Sequence, residues 1–359
     1  MSLVDVHIKG VRNIDTAQLK PSGGLNIIIG PNGSGKTSIL ESLYLLSRAR
    51  SFRTHNIKKV INKSQLHLMV YAQLSEQAAQ HKLAVKKDNS STIIRVDGKS
   101  QKKSSELSRL FYAHLIRPES QTLLENGSAP RRSFVDWGVF HVKHEFIETH
   151  KRFNQFLKQR NKLLKLKQLD TLDSWDNKLS EYGILLSDER EKYIQKLEAS
   201  LIEITDLVMN ETGFSIRYLK GWEKDTSLYE ALRKTKVRDT QFGYTTVGPQ
   251  KSDFRIILNK LPVQDYLSRG QMKLLVISLY LAQVKIMSEL STKSVCVLVD
   301  DLAAELDAES FKKIMLFLIN MNTQVFLTTT NKDLFLEYIE ENDSKVFHVK
   351  HGKIEQEEH

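Results

Sequence analysis

The strongest constraint on the fold is a glycine-rich loop that stands between an apolar strand and a helix. Residues 25–29 form the apolar run, and residues 38–46 place leucine and isoleucine at helical spacing. The loop consists of Gly30, Pro31, Asn32, Gly33, Ser34, Gly35, Lys36 and Thr37. In this context a G-x-x-x-x-G-K-T pattern turns backbone N–H groups and the positive end of a helix toward phosphate oxygens. The pattern predicts a nucleoside triphosphate site.

Four side chains then have predicted roles at this site. Lys36 is expected to reach the β- and γ-phosphates, and the hydroxyl of Thr37 is expected to hold Mg²⁺. A second buried strand, residues 295–299, ends in Asp300 and Asp301. Asp300 would help Thr37 to hold the metal, as a Walker B aspartate does, and Asp301 would polarise the attacking water. The two segments together predict an ATP and Mg²⁺ site with Asp301 as the catalytic residue.

A third segment, residues 266–273, precedes an apolar helical pattern over 274–287. Ser268 is a natural N-cap there, and Gly270, next to Gln271, would let a phosphate approach the helix start. An ordinary capped helix explains the segment in isolation. The order of P-loop, S-x-G-Q helix and strand-Asp-Asp favours a second anion-binding site.

This order of motifs resembles the ATP-binding-cassette (ABC) ATPases, in which the signature serine of one molecule caps the γ-phosphate held by another. The resemblance implies an α/β fold, namely an ABC-type P-loop ATPase head with a parallel sheet and an antiparallel β subdomain. It also implies an ATP-dependent homodimer in which Ser268, Gly270 and Gln271 act on the partner's ATP.

Five further segments occur in a set order: GVRNI at 10–14, SFRT at 51–54, PRRSFVD at 130–136, GPQKSDF at 248–254 and DDLAAELD at 300–307. This set resembles the RecF family of bacterial recombination-mediator proteins. The resemblance implies that residues 32–38, which include Ser38, cradle the triphosphate and that Arg12 and Asn13 approach it. Arg131 and Arg132 are either phosphate ligands or solvated charges. Residues 248–253 depart from the family's usual G-P-H-R-D-D, which leaves the roles of Gln250 and Ser252 open.

The family resemblance also implies a function in recombinational DNA repair and replication-gap processing. The implied partners are double-stranded DNA and single-strand/double-strand junctions, together with RecR, RecO and RecA. Thr328, Thr329 and Thr330 stand where transporter cassettes usually place a histidine that senses the γ-phosphate. Threonine carries no charge at neutral pH, so we expect a weak, DNA-stimulated ATPase that serves as a switch.

The charge balance favours a polyanionic partner. The chain has 53 Lys and Arg against 43 Asp and Glu, a formal net charge of +10. Basic residues concentrate at 48–63, 82–103 and 151–167, and the last stretch contains no acid. The one cysteine, Cys296, excludes a disulfide framework, and no apolar run approaches the ~20 residues of a membrane helix. A cytosolic protein without a membrane partner is expected.

From about residue 140 to 210 the apolar positions recur at helical spacing, and a polar turn at 169–174 interrupts them. This pattern predicts an antiparallel helical-hairpin arm inserted in the head. The predicted domains are 1–138 for the N-terminal part of the head, 139–212 for the arm and 213–359 for the C-terminal part. The first helix of the arm is basic and the second acidic. Either the two neutralise each other, or the basic helix lies on DNA phosphates.

The strand patterns predict two sheets. Segments 253–258, 295–299, 325–329 and 345–349 alternate with helices, as a parallel sheet requires. Segments 66–72, 81–87 and 91–96 predict the antiparallel sheet. Another ABC-type or SMC-type ATPase with a non-repair role is the alternative function. A transporter ATPase predicts a shorter insert before the signature, however, and an SMC head predicts a much longer coiled coil.

Overall fold

The computed structural model describes residues 2–76, 79–117, 120, 122–290, 295–321 and 323–357. The chain divides into two compact units, Met1–Ser120 with Ser291–His359, and Gln121–Leu290. The predicted arm, residues 139–212, lies inside the second unit. Residues 121–138 and 213–290, which the sequence assigns to the head, belong to that same unit. The boundaries of the functional domains stay a prediction.

In the described ranges the strands are β1 (Ser2–Val11), β2 (Ile14–Leu19), β3 (Leu25–Ile29), β4 (Leu68–Glu76), β5 (Ala79–Lys87), β6 (Thr92–Val96), β7 (Lys99–Gln101), β8 (Tyr112–Ile116), β9 (Phe214–Leu219), β10 (Asp253–Leu258), β11 (Leu261–Pro262), β12 (Val295–Val299), β13 (Gln324–Thr329), β14 (Ser344–Lys350) and β15 (Lys353–Gln356). The helices are α1 (Lys36–Arg48), α2 (Ser105–Leu110), α3 (Thr122–Glu125), α4 (Ser128–Val142), α5 (Phe146–Leu166), α6 (Leu172–Met209), α7 (Leu228–Lys234), α8 (Lys236–Phe242), α9 (Val263–Tyr266), α10 (Arg269–Leu290), α11 (Ala308–Asn320) and α12 (Leu336–Glu341).

The parallel sheet of the first unit contains the strand that leads into the P-loop. Its order is β15-β14-β3-β13-β12-β8. Adjacent strands run parallel, except that β14 and β15 pair antiparallel at one edge. β12 reads VCVLV and is buried along its whole length, which is typical of a parallel strand covered on both faces. The predicted parallel strands at 295–299, 325–329 and 345–349 are confirmed.

The prediction that residues 253–258 belong to the parallel sheet is wrong. β10 pairs antiparallel with β9 and β11 in a three-stranded sheet of the second unit. Its side chains alternate between buried and more accessible positions, with Phe254, Ile256 and Leu258 buried. This period of two indicates a sheet with one covered face, whereas a strand of the parallel sheet would be apolar throughout.

The antiparallel sheet of the first unit has the order β2-β1-β4-β5-β6-β7. Its inward side chains, among them Ile8, Val70 and Val85, join Leu40 and Leu43 of α1 in one hydrophobic core. Each such side chain contributes about 1.5–3 kcal/mol when fully buried. This core therefore holds α1, the helix that follows the P-loop, against the antiparallel sheet.

The predicted helical hairpin is confirmed in α5 and α6. α5 ends at Leu166, its C-cap residue Lys167 adopts a left-handed conformation, and α6 begins at Leu172. Buried residues recur along α6 at helical spacing, as in Leu179, Leu186 and Leu197. Across the described ranges, no helix has both the length and the apolar content that crossing a bilayer requires.

Candidate functional site

The predicted P-loop connects β3 to α1 at the carboxyl end of the parallel strand. Gly33 and Gly35 have φ angles of 76° and 124°, a region that favours glycine. A side chain at Gly30 would collide with the carbonyl of Val349 on β14. A Cβ at Gly33 would meet no atom within 4 Å. The loop can therefore come close to a ligand along its backbone.

Asn13 links the P-loop to the first turn of α1. Its Nδ2 donates to the carbonyl of Ser34 at 3.0 Å, and its Oδ1 accepts from Ser38 Oγ at 2.9 Å. The approach of Asn13 to the triphosphate stays a prediction, and the observed contacts are with the loop itself. The Asn13 amide fixes the conformation of the backbone that would contact phosphate.

Arg12 binds a carboxylate that the sequence analysis missed. Its Nε and Nη2 donate to the two carboxylate oxygens of Glu41 at 2.8 and 2.9 Å, and Ser51 Oγ donates to the same carboxylate. Glu41 is fully buried on α1. The sequence did contain a signal for this contact, since Glu41 follows the apolar Leu40 in the helical pattern. An acid that is buried with such a helix needs a partner. Ser51 starts the SFRT segment, so the ion pair joins two of the recognised motifs.

Lys36 lies almost entirely inside the protein, with 7% of its surface exposed. Its Nζ donates to the carbonyls of Gly30 and Pro31 at 2.8 and 3.2 Å. Burial lowers the pKa of Lys36, and the negative charges of Asp301 and Asp300 act in the opposite direction. The ammonium group is thus held at the loop within the field of both aspartates.

Three side chains meet where β12 ends. Thr37 Oγ1 donates to Oδ1 of Asp300 at 3.1 Å, and Thr328 Oγ1 donates to the same oxygen at 2.8 Å. Thr37 comes from α1, Asp300 follows β12 and Thr328 belongs to β13. The two residues predicted to hold Mg²⁺ are therefore neighbours, although 263 positions separate them in sequence.

Asp301 has a left-handed backbone conformation with φ of 50°. Its N–H donates to Thr328 Oγ1 at 2.9 Å. Thr328 therefore contacts both aspartates. The sequence identified this threonine only by its place in the motif order, and its role depends on which strand lies next to β12.

The P-loop and the two aspartates line a cavity of about 1050 Å³ in the first unit. Its basic lining residues are Arg12, Lys36, Arg53, Lys58, Lys59 and Lys63, and its acids are Asp300 and Asp301. Its other lining residues include Asn13, Asn32, Gly33, Gly35, Thr37 and Ser38. Three residues of the P-loop are not among the residues that line the cavity: Gly30, Pro31 and Ser34. A cavity of this size and charge accommodates a triphosphate.

The same residues fit ATP and Mg²⁺ by their chemistry. Ser34 Oγ is buried and, among the described residues, has no hydrogen-bond partner, so a polar acceptor nearby would satisfy it. A hydroxyl from Thr37 and a carboxylate from Asp300 are oxygen ligands of the kind that Mg²⁺ prefers. Mg²⁺ commonly takes one or two protein ligands and completes its shell with phosphate and water.

The predicted signature residues lie in the second unit at the start of α10. Ser268 Oγ accepts from the N–H of Gln271 at 3.3 Å, and Gln271 Oε1 accepts from the N–H of Ser268 at 2.9 Å. This reciprocal pair is a capping box. Ser268 and Gly270 are exposed, and a Cβ on Gly270 would meet no atom within 4 Å.

The two arginines of the PRRSFVD segment bind protein groups within the second unit. Arg131 donates to both carboxylate oxygens of Asp253 at 2.7 and 3.0 Å, and Arg132 donates to the carbonyl of Ser252 at 2.9 Å. The sequence left phosphate ligands and solvated charges as the alternatives for these two positions, and the observed contacts support neither. Ser252 Oγ in turn accepts from the buried Arg190 at 2.9 Å. Segments 130–136 and 248–254 form one ionic network.

Apart from Lys151, which pairs with Glu148, the exposed lysines of α5 are Lys158, Lys162 and Lys165. None of them has a carboxylate within ion-pair distance in the described part of the chain. One buried pair, Arg160 with Asp176, joins α5 to α6. Three other acids of α6 pair outside α5: Glu189 with Lys143, Glu191 with Lys220 and Glu203 with Lys285. These contacts favour a solvated basic face over mutual neutralisation of the two helices.

The fold and this site define an ABC-type ATPase head with a helical-hairpin arm. Residues 2–355 match the family described as RecF/RecN/SMC N terminal domain. The DNA replication and repair protein RecF of Shewanella oneidensis is 36% identical over 99% of both chains. That of Vibrio cholerae is 38% identical over 99% of this chain and all of the relative. The chain belongs to the RecF family of DNA replication and repair proteins.

Solved structures give the same result. The recombination mediator protein RecF with ATP, of the RecFOR pathway, superposes with a TM-score of 0.86 at 26% identity, covering 99% of this chain and 97% of that one. The Smc head domain from Pyrococcus furiosus superposes with a TM-score of 0.59 at 13% identity, covering 99% of this chain and 95% of that one. The second match shows a shared fold alone.

Proposed function

We propose that this chain binds ATP and Mg²⁺ in the cavity of the first unit and uses them as a switch that closes a homodimer on DNA. The observation that carries the proposal is the contact between Thr37 and Asp300 beside the buried Lys36. This contact brings together the P-loop, near the start of the sequence, and the strand-Asp-Asp motif, near its end. The solved RecF relative with ATP supports the same ligand.

Each residue of the site has a proposed task. The backbone of residues 30–38 would cradle the triphosphate, and Lys36 would place its charge on the β- and γ-phosphates. Thr37 and Asp300 would hold Mg²⁺, which would neutralise charge on those phosphates. Asn13 would keep the loop in its binding conformation, and Arg12 would do so indirectly through Glu41.

We propose that hydrolysis is slow and serves to release the dimer. Asp301 is the proposed group that polarises water, since it lines the cavity directly after Asp300. The neighbouring Thr328 hydroxyl already donates to Asp300 and accepts from the Asp301 N–H, and unlike a histidine it does not change its protonation state near neutral pH. The site thus favours binding over rapid turnover.

The dimer is proposed to form around two nucleotides. Ser268, Gly270 and Gln271 stand at the exposed, capped start of α10, whose N–H groups suit an anion. In the proposed dimer they would contact the γ-phosphate bound by the partner's P-loop. This arrangement would make dimerisation depend on ATP.

DNA is the proposed polyanion, and the lysines of α5 are its proposed contact. Their lack of carboxylate partners in the described ranges leaves them available to phosphates. We further propose, from family membership, that the protein acts at single-strand/double-strand junctions with RecR and RecO and helps RecA to load. We propose a cytosolic location, which agrees with a DNA partner.

Fluorescence anisotropy with gapped duplex DNA tests the coupling between ATP and DNA. We expect Mg²⁺ with ATP to tighten DNA binding at least several-fold compared with ADP or no nucleotide. The same comparison with Lys36→Ala should show no effect of nucleotide. DNA affinity that is independent of ATP in the unmodified protein would contradict the proposal.

A further inference from the structure

Two aromatic side chains lie exposed at the end of α8 in the second unit. Phe242 is 58% exposed and Tyr244 is 45% exposed. Their rings are stacked, with centroids 5.8 Å apart and an interplanar angle of 20°. Apolar rings of this size usually lie in a core or an interface, so an exposed stacked pair indicates a binding surface.

A buried ionic network holds the segment that carries these rings. Arg160 of α5 is fully buried and donates to Asp176 at 2.6 Å, to Asp239 at 2.7 Å and to Thr245 Oγ1 at 2.9 Å. Asp239 also accepts from the N–H and the hydroxyl of Thr246 at 3.0 and 2.6 Å. Gly243, with φ of 71°, turns the chain between the two rings. The ionic network therefore fixes the loop that carries the two rings.

Three cations lie close to the pair. The ammonium of Lys251 lies 5.5 Å from the centroid of the Tyr244 ring. Lys165 of α5 packs against Gly243, and Arg238 stands one turn before Phe242 on α8. All three are exposed, and within the described ranges none has an ion-pair partner. Rings with cations around them match the composition of a single-strand binding platform.

We propose that Phe242 and Tyr244 form a platform on which unpaired bases of single-stranded DNA stack, while Lys165, Arg238 and Lys251 contact the flanking phosphates. Stacking is independent of base identity, because every base presents a π-face. A protein partner would favour a surface with fewer charges at its centre. The inference rests on the proposed DNA-binding function and adds a separate site for the unpaired strand. Lys165 belongs to the basic face of α5, so duplex and single strand would meet at this point.

The test compares the full-length protein with the double variant Phe242→Ala/Tyr244→Ala on three DNAs. These are a gapped duplex with 2-aminopurine at the first unpaired position, an oligothymidylate and a blunt duplex. The double variant should lose roughly 5- to 150-fold affinity for the first two, the range expected for one stacked base. It should also lose the quenching of 2-aminopurine. The aromatic swap Phe242→Tyr/Tyr244→Phe should retain both.

The possible results distinguish a failure of the proposed platform from a failure of the proposed DNA-binding function. Equal binding of the gapped duplex and the oligothymidylate by the unmodified protein and the double variant would overturn the platform alone. Failure of the unmodified protein to bind any of the three DNAs would overturn the proposed function as well. If the double variant instead alters sedimentation without DNA and leaves binding of all three DNAs unchanged, the rings serve a protein contact and the inference is wrong.

Discussion

Thr328 donates its hydroxyl hydrogen to Oδ1 of Asp300 at 2.8 Å, and the same hydroxyl accepts the N–H of Asp301 at 2.9 Å. A single side chain on β13 thus positions the proposed metal ligand and the backbone of the proposed catalytic residue. Thr37 reaches the same oxygen of Asp300 from the P-loop. The hydroxyls of Thr37 and Thr328 thus connect the P-loop and β13 to the carboxylate of Asp300.

Replacing Thr328 with valine should weaken the use of Mg²⁺. Valine has a similar shape but no hydroxyl, so Asp300 loses a donor and the Asp301 N–H loses its acceptor, at a cost of about 1–3 kcal/mol. We expect a several-fold higher Mg²⁺ concentration for half-maximal ATP binding. Thr329→Val is the matched control, because its hydroxyl bonds to the backbone of Asn331 instead. An identical Mg²⁺ requirement in both variants would refute the role of Thr328.

Lys36→Ala should abolish useful ATP affinity while the fold stays intact. Hydrogen bonds to charged groups contribute about 1.5–3 kcal/mol each, so a loss of at least about tenfold is expected. Equilibrium binding of a fluorescent ATP analogue measures it, and thermal unfolding checks the fold. Lys20→Ala, an exposed lysine outside the cavity, is the control. Near-normal affinity of Lys36→Ala would remove the lysine from the site.

Asp301→Asn should slow hydrolysis and prolong the dimer. An amide cannot polarise water as a carboxylate does, and general-base groups typically contribute 10²–10⁴-fold. Asp300 keeps its contacts to Thr37 and Thr328, so ATP affinity should change only a few-fold. Single-turnover hydrolysis measures the step, and an unchanged rate would place the catalytic role elsewhere.

The site shows where sequence reasoning succeeds. The P-loop is predictable because its glycines, Lys36 and Thr37 lie within eight consecutive positions between a strand and a helix. Asp300 is predictable because it follows an apolar strand. The contact of Thr328 with both aspartates depends on β12 and β13 being neighbours, which local patterns do not specify. Arg131 pairs with Asp253 across 122 positions, and no periodicity encodes that contact.

The assignment of β10 shows the same limit of local sequence patterns. Its residues have strong strand propensity, and the α/β pattern of the chain made a parallel assignment natural. The alternation of buried Phe254, Ile256 and Leu258 with accessible neighbours was the contrary signal. A period of two favours an antiparallel sheet with one solvated face, and this signal outweighs the order of elements along the chain.

Replacing Lys158, Lys162 and Lys165 with glutamine should weaken DNA binding similarly for every sequence. If all three contact phosphates, the slope of log K against log salt should fall by roughly 0.9 for each lost contact. We expect this decrease with ATP present and little change without it, because dimer closure would bring both arms to one duplex. Anisotropy titrations over a salt series measure the slope.

The matched control for that variant removes the same charge from the other helix of the arm. Lys178, Lys192 and Lys196 of α6 are exposed, and replacing them with glutamine should leave the slope close to normal. A decrease only in the α5 variant supports direct contact. An unchanged slope in both variants, with and without ATP, would move the DNA site to the basic stretches at 48–63 or 82–103.

ATP-dependent dimerisation is the central claim, and sedimentation velocity with Mg²⁺, ATP and gapped DNA tests it most directly. The unmodified protein should shift from monomer to dimer on adding ATP, whereas Ser268→Arg should bind the ATP analogue normally and remain monomeric. Ser227→Arg is the control, because Ser227 also forms a capping box, with Glu230 of α7, and its loss should cost a similar ~0.5–2 kcal/mol without affecting assembly. A Ser268→Arg protein that binds ATP and dimerises like the unmodified chain would contradict the account.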